Sequence, residues 1–242
     1  MGIQLALWSG PRNVSTAMMY SFAQRSDTKV VDEPLFAHFL KSTGVARPSR
    51  EAALATMSTN AMDILSGLEK TGAKYPVLFV KHIANHIVNL DLQLTKRSCN
   101  VILIREPGQV LNSYRKQIEQ PTLLDLAYGF QKQLVEYWEA YHIPYLVVDS
   151  TDFLQNPEGG LRTICEFANL PFQSNMLSWK PGPRPEDGVW AQYWYHNVHA
   201  STGFVPYQKK KMTTVPAELM PIYNECLPYY KFLKKRANSL KP

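Results

Sequence analysis

Cysteine is scarce in this chain: three in 242 residues, Cys99, Cys165 and Cys226, far apart and with no C-x-x-C pair. That spacing offers neither a disulfide framework nor a thiolate metal site, so the three read as reduced thiols in or near a core. No apolar run approaches the ~20 residues of a membrane-crossing helix. The start of the chain enters a strand directly, with no basic n-region or small-residue cleavage site. A cytoplasmic protein without a membrane partner is therefore expected. No cluster of His, Cys, Asp or Glu has metal-ligand spacing, so no metal is expected. Helix-turn-helix, zinc-finger and RNP signatures are absent, which argues against a nucleic-acid partner. So is the loop G-x-x-x-x-G-K-[ST], which disfavours Mg²⁺-dependent ATP or GTP hydrolysis on a Walker A site. No internal repeat or low-complexity stretch breaks the chain.

What is present is an ordinary globular composition, 45% hydrophobic and 19% charged, in a chain long enough for one large core. The net charge of +6 suits an anionic ligand. Much of the excess is local, at Lys209-Lys210-Lys211 and at Lys231, Lys234, Lys235 and Arg236, which read as solvated surface.

The organising stretch is Leu5-Ala6-Leu7-Trp8-Ser9-Gly10-Pro11-Arg12-Asn13-Val14-Ser15-Thr16-Ala17-Met18-Met19. Ile3 to Trp8 is an apolar run of strand length, Ser9-Gly10-Pro11 breaks it, and a helical pattern follows from Ser15. A strand that feeds a helix through a tight loop leaves backbone N–H groups unpaired at the helix start, where an anion is favoured. Arg12 adds a fixed charge, and Ser15 and Thr16 add hydroxyls. An ordinary first β–α turn with a chance arginine is the alternative.

Further strands are expected at Lys29–Asp32, Val77–Val80, Val101–Ile104 and Tyr145–Val148, alternating with helices. Those helices are read over 48–70, 108–118, 122–141 and 157–168, with a helix-like segment over 87–94. The alternation predicts an α/β fold: a single doubly wound, mostly parallel sheet of about five strands flanked by helices. From Phe172 the chain turns proline-rich and aromatic, with Trp190, Tyr193, Trp194 and Tyr195, and ends in a helix read over 223–235. One domain over 1–242 is expected, an α/β core over 1–172 and an irregular, helical C-terminal cap over 173–242.

Two further places carry chemistry. Pro34 forces Glu33 out of helical geometry, so a carboxylate stands at the end of the second strand, where parallel sheets place their ligand crevice. In Ile102-Leu103-Ile104-Arg105-Glu106-Pro107, running on to Ser113-Tyr114, an arginine leaves a strand and a serine follows on the next helix, and both can converge on one anion.

The run Pro11-Arg12-Asn13-Val14-Ser15-Thr16 resembles the 5′-phosphosulfate loop of PAPS-dependent sulfotransferases, and the Arg105…Ser113 pattern resembles their 3′-phosphate motif. Tyr145 to Phe172 is similar to a later strand, turn and helix of the same family. The resemblance covers residues 1–172 and implies a P-loop-like sulfotransferase fold. It implies PAPS as sulfuryl donor, with Arg12, Asn13, Val14, Ser15, Thr16, Ala17, Arg105 and Ser113 binding it. It also implies a small-molecule hydroxyl or amine as acceptor. Arg12 would stabilise charge on the leaving phosphate. For the general base Glu33 ranks first, His82 second and His86 third; each histidine has a structural role as its alternative. Lys81 would pair with phosphosulfate oxygens or cap its strand. The family's C-terminal Arg-Lys-Gly element is not visible; Lys180, Arg184 or the Ser201–Phe204 turn would have to replace it. A catalytically inactive nucleotide-binding relative and a kinase on a related fold are the rival readings. A homodimer stays open.

Overall fold

The computed structural model describes residues 2–205 and 214–237. Five strands form one sheet: β1 (Ile3–Ser9), β2 (Thr28–Asp32), β3 (Val77–Ile83), β4 (Cys99–Ile104) and β5 (Tyr145–Asp149). They lie in the order β2-β3-β1-β4-β5, and every pair is parallel. The strands are apolar runs because both faces of a parallel sheet are covered by helices.

Alternation along each strand sends its residues to opposite faces. Leu5, Leu7, Phe79, Val101, Leu103, Leu146 and Val148 join one core cluster, with Met18, Met19 and Phe22 of α1 (Ser15–Phe22) and Phe36, Phe39 and Leu40 of α2 (Phe36–Thr43). Next in the chain come α3 (Arg50–Thr56), α4 (Ala61–Gly72), α5 (Pro107–Tyr114), α6 (Leu123–Leu126) and α7 (Tyr128–Ala140). Ala6, Trp8, Ile102, Ile104 and Val147 face the other cluster, with Val110 and Leu111 of α5 and Leu134, Val135 and Trp138 of α7. The remaining helices are α8 (Ser150–Gln155), α9 (Pro157–Phe167), α10 (Ala191–Trp194), α11 (His196–His199) and α12 (Met220–Lys234). The C-terminal third joins both clusters, Trp179, Trp190 and Tyr195 on the first and Leu219, Cys226 and Leu233 on the second. Cys165 and Cys226 are buried, Cys99 is half-buried, and all three are free thiols.

Several elements differ from the sequence expectation. The helix expected over 48–70 is two, α3 and α4, because Met57 is extended and Asn60 caps α4 by accepting from Met62 N at 2.9 Å. The helix expected over 122–141 breaks at Ala127, which has φ 65°. A Thr122–Asp125 capping box starts the short α6, and the corner packs onto the loop after β1: a Cβ on Gly10 would lie 3.0 Å from the Leu126 carbonyl. Segment 87–94 is not an α-helix; its neighbourhood holds 3₁₀ turns at Ala84–Ile87 and Leu92–Thr95. α8 stands where only a turn was expected, started by Asp149 accepting from Thr151 N at 2.8 Å.

The basic C-terminal cluster is partly neutralised. Lys234 pairs with Asp149 and Asp152, and Arg236 with Glu139. Lys209-Lys210-Lys211 lies outside the described residues. Among the described residues no helix is long and apolar enough to cross a membrane.

Candidate active site

The strand order creates the site. From β1 the chain crosses to β2 on one side; from β3 it passes β1 to reach β4 on the other. Connections leaving β1 and β4 therefore diverge, and the crevice at their carboxyl ends is the topological switch point. Arg12 lies in the loop after β1, and Arg105 directly follows β4.

Arg12 has φ 53°, a strained region for a residue with a side chain. Three contacts hold it there. Arg105 Nη1 donates to the Arg12 carbonyl at 2.7 Å, Asn13 Nδ2 donates to the Leu103 carbonyl at 3.0 Å, and Val14 N donates to Asn13 Oδ1 at 2.9 Å. The bend leaves α1 with Val14 as its N-cap and no side-chain cap. Among the described residues the N–H groups of Ser15, Thr16 and Ala17 have no acceptor, and all three residues line one large cleft. Open N–H groups at a helix start favour negative charge beside them.

The two sequence motifs meet in space. Arg12 Nε donates to Ser113 Oγ at 3.0 Å, and Arg12 Nη1 to the Trp194 carbonyl at 3.2 Å. The Arg12 guanidinium lies over the Trp194 ring at 5.8 Å, and that ring stacks on Tyr114. Burial lowers the Arg12 pKa, and neighbouring Arg105 lowers it further. Two crowded, half-buried cations are a setting that a bound dianion relieves. Asn13 is committed to bracing the loop, whereas Val14, Ser15, Thr16 and Ala17 line the cleft.

At the other end of the cleft stands Glu33, the residue after β2, with φ 41°. Its N–H donates to the Lys81 carbonyl at 2.8 Å, and its own carbonyl accepts from Phe36 N at 3.0 Å. Lys81 of β3 is the register partner of Asp32. Its ammonium, almost wholly buried, reaches Asp32 Oδ1 at 2.8 Å, Glu33 Oε1 at 2.5 Å and Tyr195 Oη at 2.8 Å. Burial pushes the Glu33 carboxyl up to about 7, helped by Asp32 and opposed by Lys81. Lys81 is pushed well above its ordinary value: its carboxylate partners outweigh the opposing effect of burial.

Strand alternation separates the two histidines. Lys81 points to the cleft, so His82 points to the opposite face, where it stacks on its register partner Trp8 with ring centroids 4.0 Å apart. His82 is absent from the cleft lining, and burial drives its pKa down to about 3. His86, from the following 3₁₀ turn, does line the cleft, between Phe36 and Phe39. Burial holds it neutral, well below the usual imidazole range. His86 Nδ1 and Asn85 Oδ1 are buried with no hydrogen-bond partner among the described residues.

Some contributors were not legible in the sequence. Arg47 pairs with the buried Asp125 in the cleft wall. Tyr195 joins Lys81 across 114 residues. Of the three replacements considered for the C-terminal element, the Ser201–Phe204 turn does reach the cleft, through Ser201, Gly203 and Phe204. Arg184 instead lies over Tyr20 and pairs with Glu186, and neither it nor Lys180 lines the cleft. The cleft measures about 1440 Å³. That exceeds the ~300–1,000 Å³ of a typical single-ligand pocket and leaves room for two substrates.

A sequence model of a family described as Sulfotransferase domain matches residues 3–237. Two Arabidopsis thaliana proteins, named branched-chain-amino-acid aminotransferase-like proteins 1 and 2, are 40% and 38% identical over 96% and 94% of this chain. The chain spans only 42% and 40% of their lengths. Among solved structures, a sulfotransferase from Alicyclobacillus acidocaldarius is similar with TM-score 0.57 and 12% identity, covering 99% of this chain and 98% of its own. The sulfotransferase domain from the Synechococcus PCC 7002 olefin synthase gives TM-score 0.55 and 15% identity, over 93% of this chain and 94% of its own. At such identities the likeness is one of fold.

Proposed function

The chain belongs to the sulfotransferase domain family, and from that premise we propose that it transfers a sulfuryl group from PAPS to a hydroxyl or amine of a small molecule, releasing PAP. One observation carries the reading: Arg12 Nε donates to Ser113 Oγ while Arg105 Nη1 donates to the Arg12 carbonyl. The loop that would hold the 5′ side and the pair that would hold the 3′-phosphate thus form one continuous wall. The uncapped start of α1 and the two neighbouring arginines support such a ligand: the first offers open N–H groups, and the second adds positive charge beside them.

When bound, PAPS supplies an electrophilic sulfur, a 5′-phosphate on which charge develops as the sulfuryl group leaves, and a 3′-phosphate that ADP and ATP lack. The N–H groups of Ser15, Thr16 and Ala17, the Ser15 and Thr16 hydroxyls and Arg12 would stabilise the developing charge. Arg105 and Ser113 would bind the 3′-phosphate. Glu33 would take the proton of the acceptor; a carboxyl raised to about 7 is ionised often enough to do so and basic enough to be useful. His86 would line the acceptor side, and His82 would support the sheet from below.

Calorimetry with PAP, ADP and ATP-Mg²⁺ tests the reading. PAP should bind at least about tenfold more tightly than ADP, as one charge-assisted phosphate contact requires. Equal affinity for PAP and ADP would overturn it, and a preference for ATP-Mg²⁺ would point to phosphoryl transfer instead.

A further inference from the structure

A buried ammonium has three N–H bonds to satisfy. Lys81 directs them at Asp32, Glu33 and Tyr195. The three acceptors are not equivalent. Both Asp32 oxygens are engaged: besides Lys81 on Oδ1, its Oδ2 accepts from Tyr195 Oη at 2.7 Å and from Gly188 N at 3.2 Å. Tyr195 is fixed in turn by Trp190 Nε1, which donates to its hydroxyl at 3.0 Å. The Glu33 carboxylate has Lys81 as its only hydrogen-bond partner among the described residues, and Glu33 lines the cleft. Two carboxylates therefore share one cation, and only one of them keeps an oxygen for chemistry.

We propose that Asp32 and the Tyr195 hydroxyl are a positioning pair for the base: they take up the charge and two N–H bonds of Lys81, and so leave Glu33 able to accept a proton from the acceptor. The inference rests on Glu33 as the base. Asp32 comes from β2, whereas Tyr195 and Trp190 come from the cap, so docking of the cap sets the behaviour of a residue 162 positions away. The charged groups acting on Glu33 are Lys81 from β3 and Asp32 beside it. Tyr195 from the cap and Tyr114 from α5 interact with it as titratable hydroxyls, and His86, Arg12, Arg47 and Asp125 line the same cleft. None of these repeats the work of Asp32, a full negative charge on the same ammonium.

Without the Asp32 charge, Lys81 acts on Glu33 alone, and Glu33 ionises at lower pH and becomes a weaker base. Without the Tyr195 hydroxyl, one Lys81 N–H turns toward Glu33, with a smaller effect of the same sign. Carboxyl ¹³C NMR titration of the full chain measures this, the Glu33 signal being the one lost in Glu33→Gln. Asp32→Asn should increase the Glu33 ionisation constant about tenfold or more, and Tyr195→Phe about two- to fivefold. PAP affinity should stay within about twofold in both, since neither side chain belongs to the phosphate wall. In a second arm, PAP release from PAPS with water as the only acceptor should show its acidic limb moving down in step.

Should Asp32→Asn fail to fold, Tyr195→Phe carries the test, as it removes a single hydroxyl. A Glu33 titration unmoved in the folded variants overturns the positioning pair, whatever the enzyme does with PAPS. A shifted titration in a protein whose wild type neither binds PAP above ADP nor releases it from PAPS would sustain the pair and sink the sulfuryl-transfer reading.

Discussion

Arg105→Ala is the perturbation that most directly interrogates the proposed phosphate wall. Two separable jobs fall on this guanidinium. Nη1 braces the strained Arg12 by donating to its carbonyl at 2.7 Å, and Nε donates to Gln109 Oε1 at 3.2 Å. The proposed second job is a charge-assisted contact to a 3′-phosphate. A hydrogen bond to a charged group contributes about 1.5–3 kcal/mol, and 1.4 kcal/mol is tenfold in affinity. PAP should therefore bind roughly 10- to 150-fold more weakly to the variant. ADP reports the bracing job alone. Because Asn13 still ties the loop to Leu103, ADP should weaken by only about threefold. Calorimetry at one fixed ionic strength is the assay, since phosphate contacts are screened by salt. The reasoning is refuted if PAP keeps its affinity, or if PAP and ADP lose equally, because the arginine would then be a loop brace and nothing more.

Two further outcomes follow from the geometry. Glu33→Gln should bind PAP within about twofold of wild type while PAP formation from PAPS falls by at least ~10²-fold; persistent turnover would move the base to His86, the histidine in the cleft wall. His82→Phe keeps a ring against Trp8 but removes a titrating group. The folded His82 pKa lies below its unfolded value, so the stability it contributes is present above pH ~6.5 and is lost as pH falls toward about 3. Melting temperatures taken across that window should fall more steeply in wild type than in His82→Phe, with PAP affinity alike in both. Parallel curves would show that the imidazole is not held neutral.

Arg12 and Arg105 bring two positive charges close together in the cleft, whereas Lys81 with Asp32 and Glu33, and Arg47 with Asp125, are ion pairs in its wall. The first arrangement suits a polyanion. The second places a carboxyl with raised pKa in the wall of a cleft that Phe36, Phe39, His86 and Asn85 also line.

Local order along the chain was enough to determine the strands, the break after β1 and the places of Arg12 and Arg105 just beyond β1 and β4. Apolar runs of strand length, a Gly-Pro break and hydroxyl residues at a helix start are short-range signals, and the five strands and α1 follow from them. Pro34 likewise marked Glu33, because a proline constrains the residue before it wherever the chain goes. Helix breaks were less legible: periodicity ran on through Met57–Asn60 and Ala127, and only caps and packing against Gly10 interrupted it. Tertiary structure alone decided who surrounds Glu33. Adjacent Lys81 and His82 look interchangeable in sequence, but a strand sends them to opposite faces, one to the cleft and the other onto Trp8. Tyr195 and Asp32 lie 163 residues apart and share a hydrogen bond, and Arg47 finds Asp125 across 78. A buried ion pair is specified by where the folded chain leaves a charge without water, and no stretch of neighbouring residues carries that information.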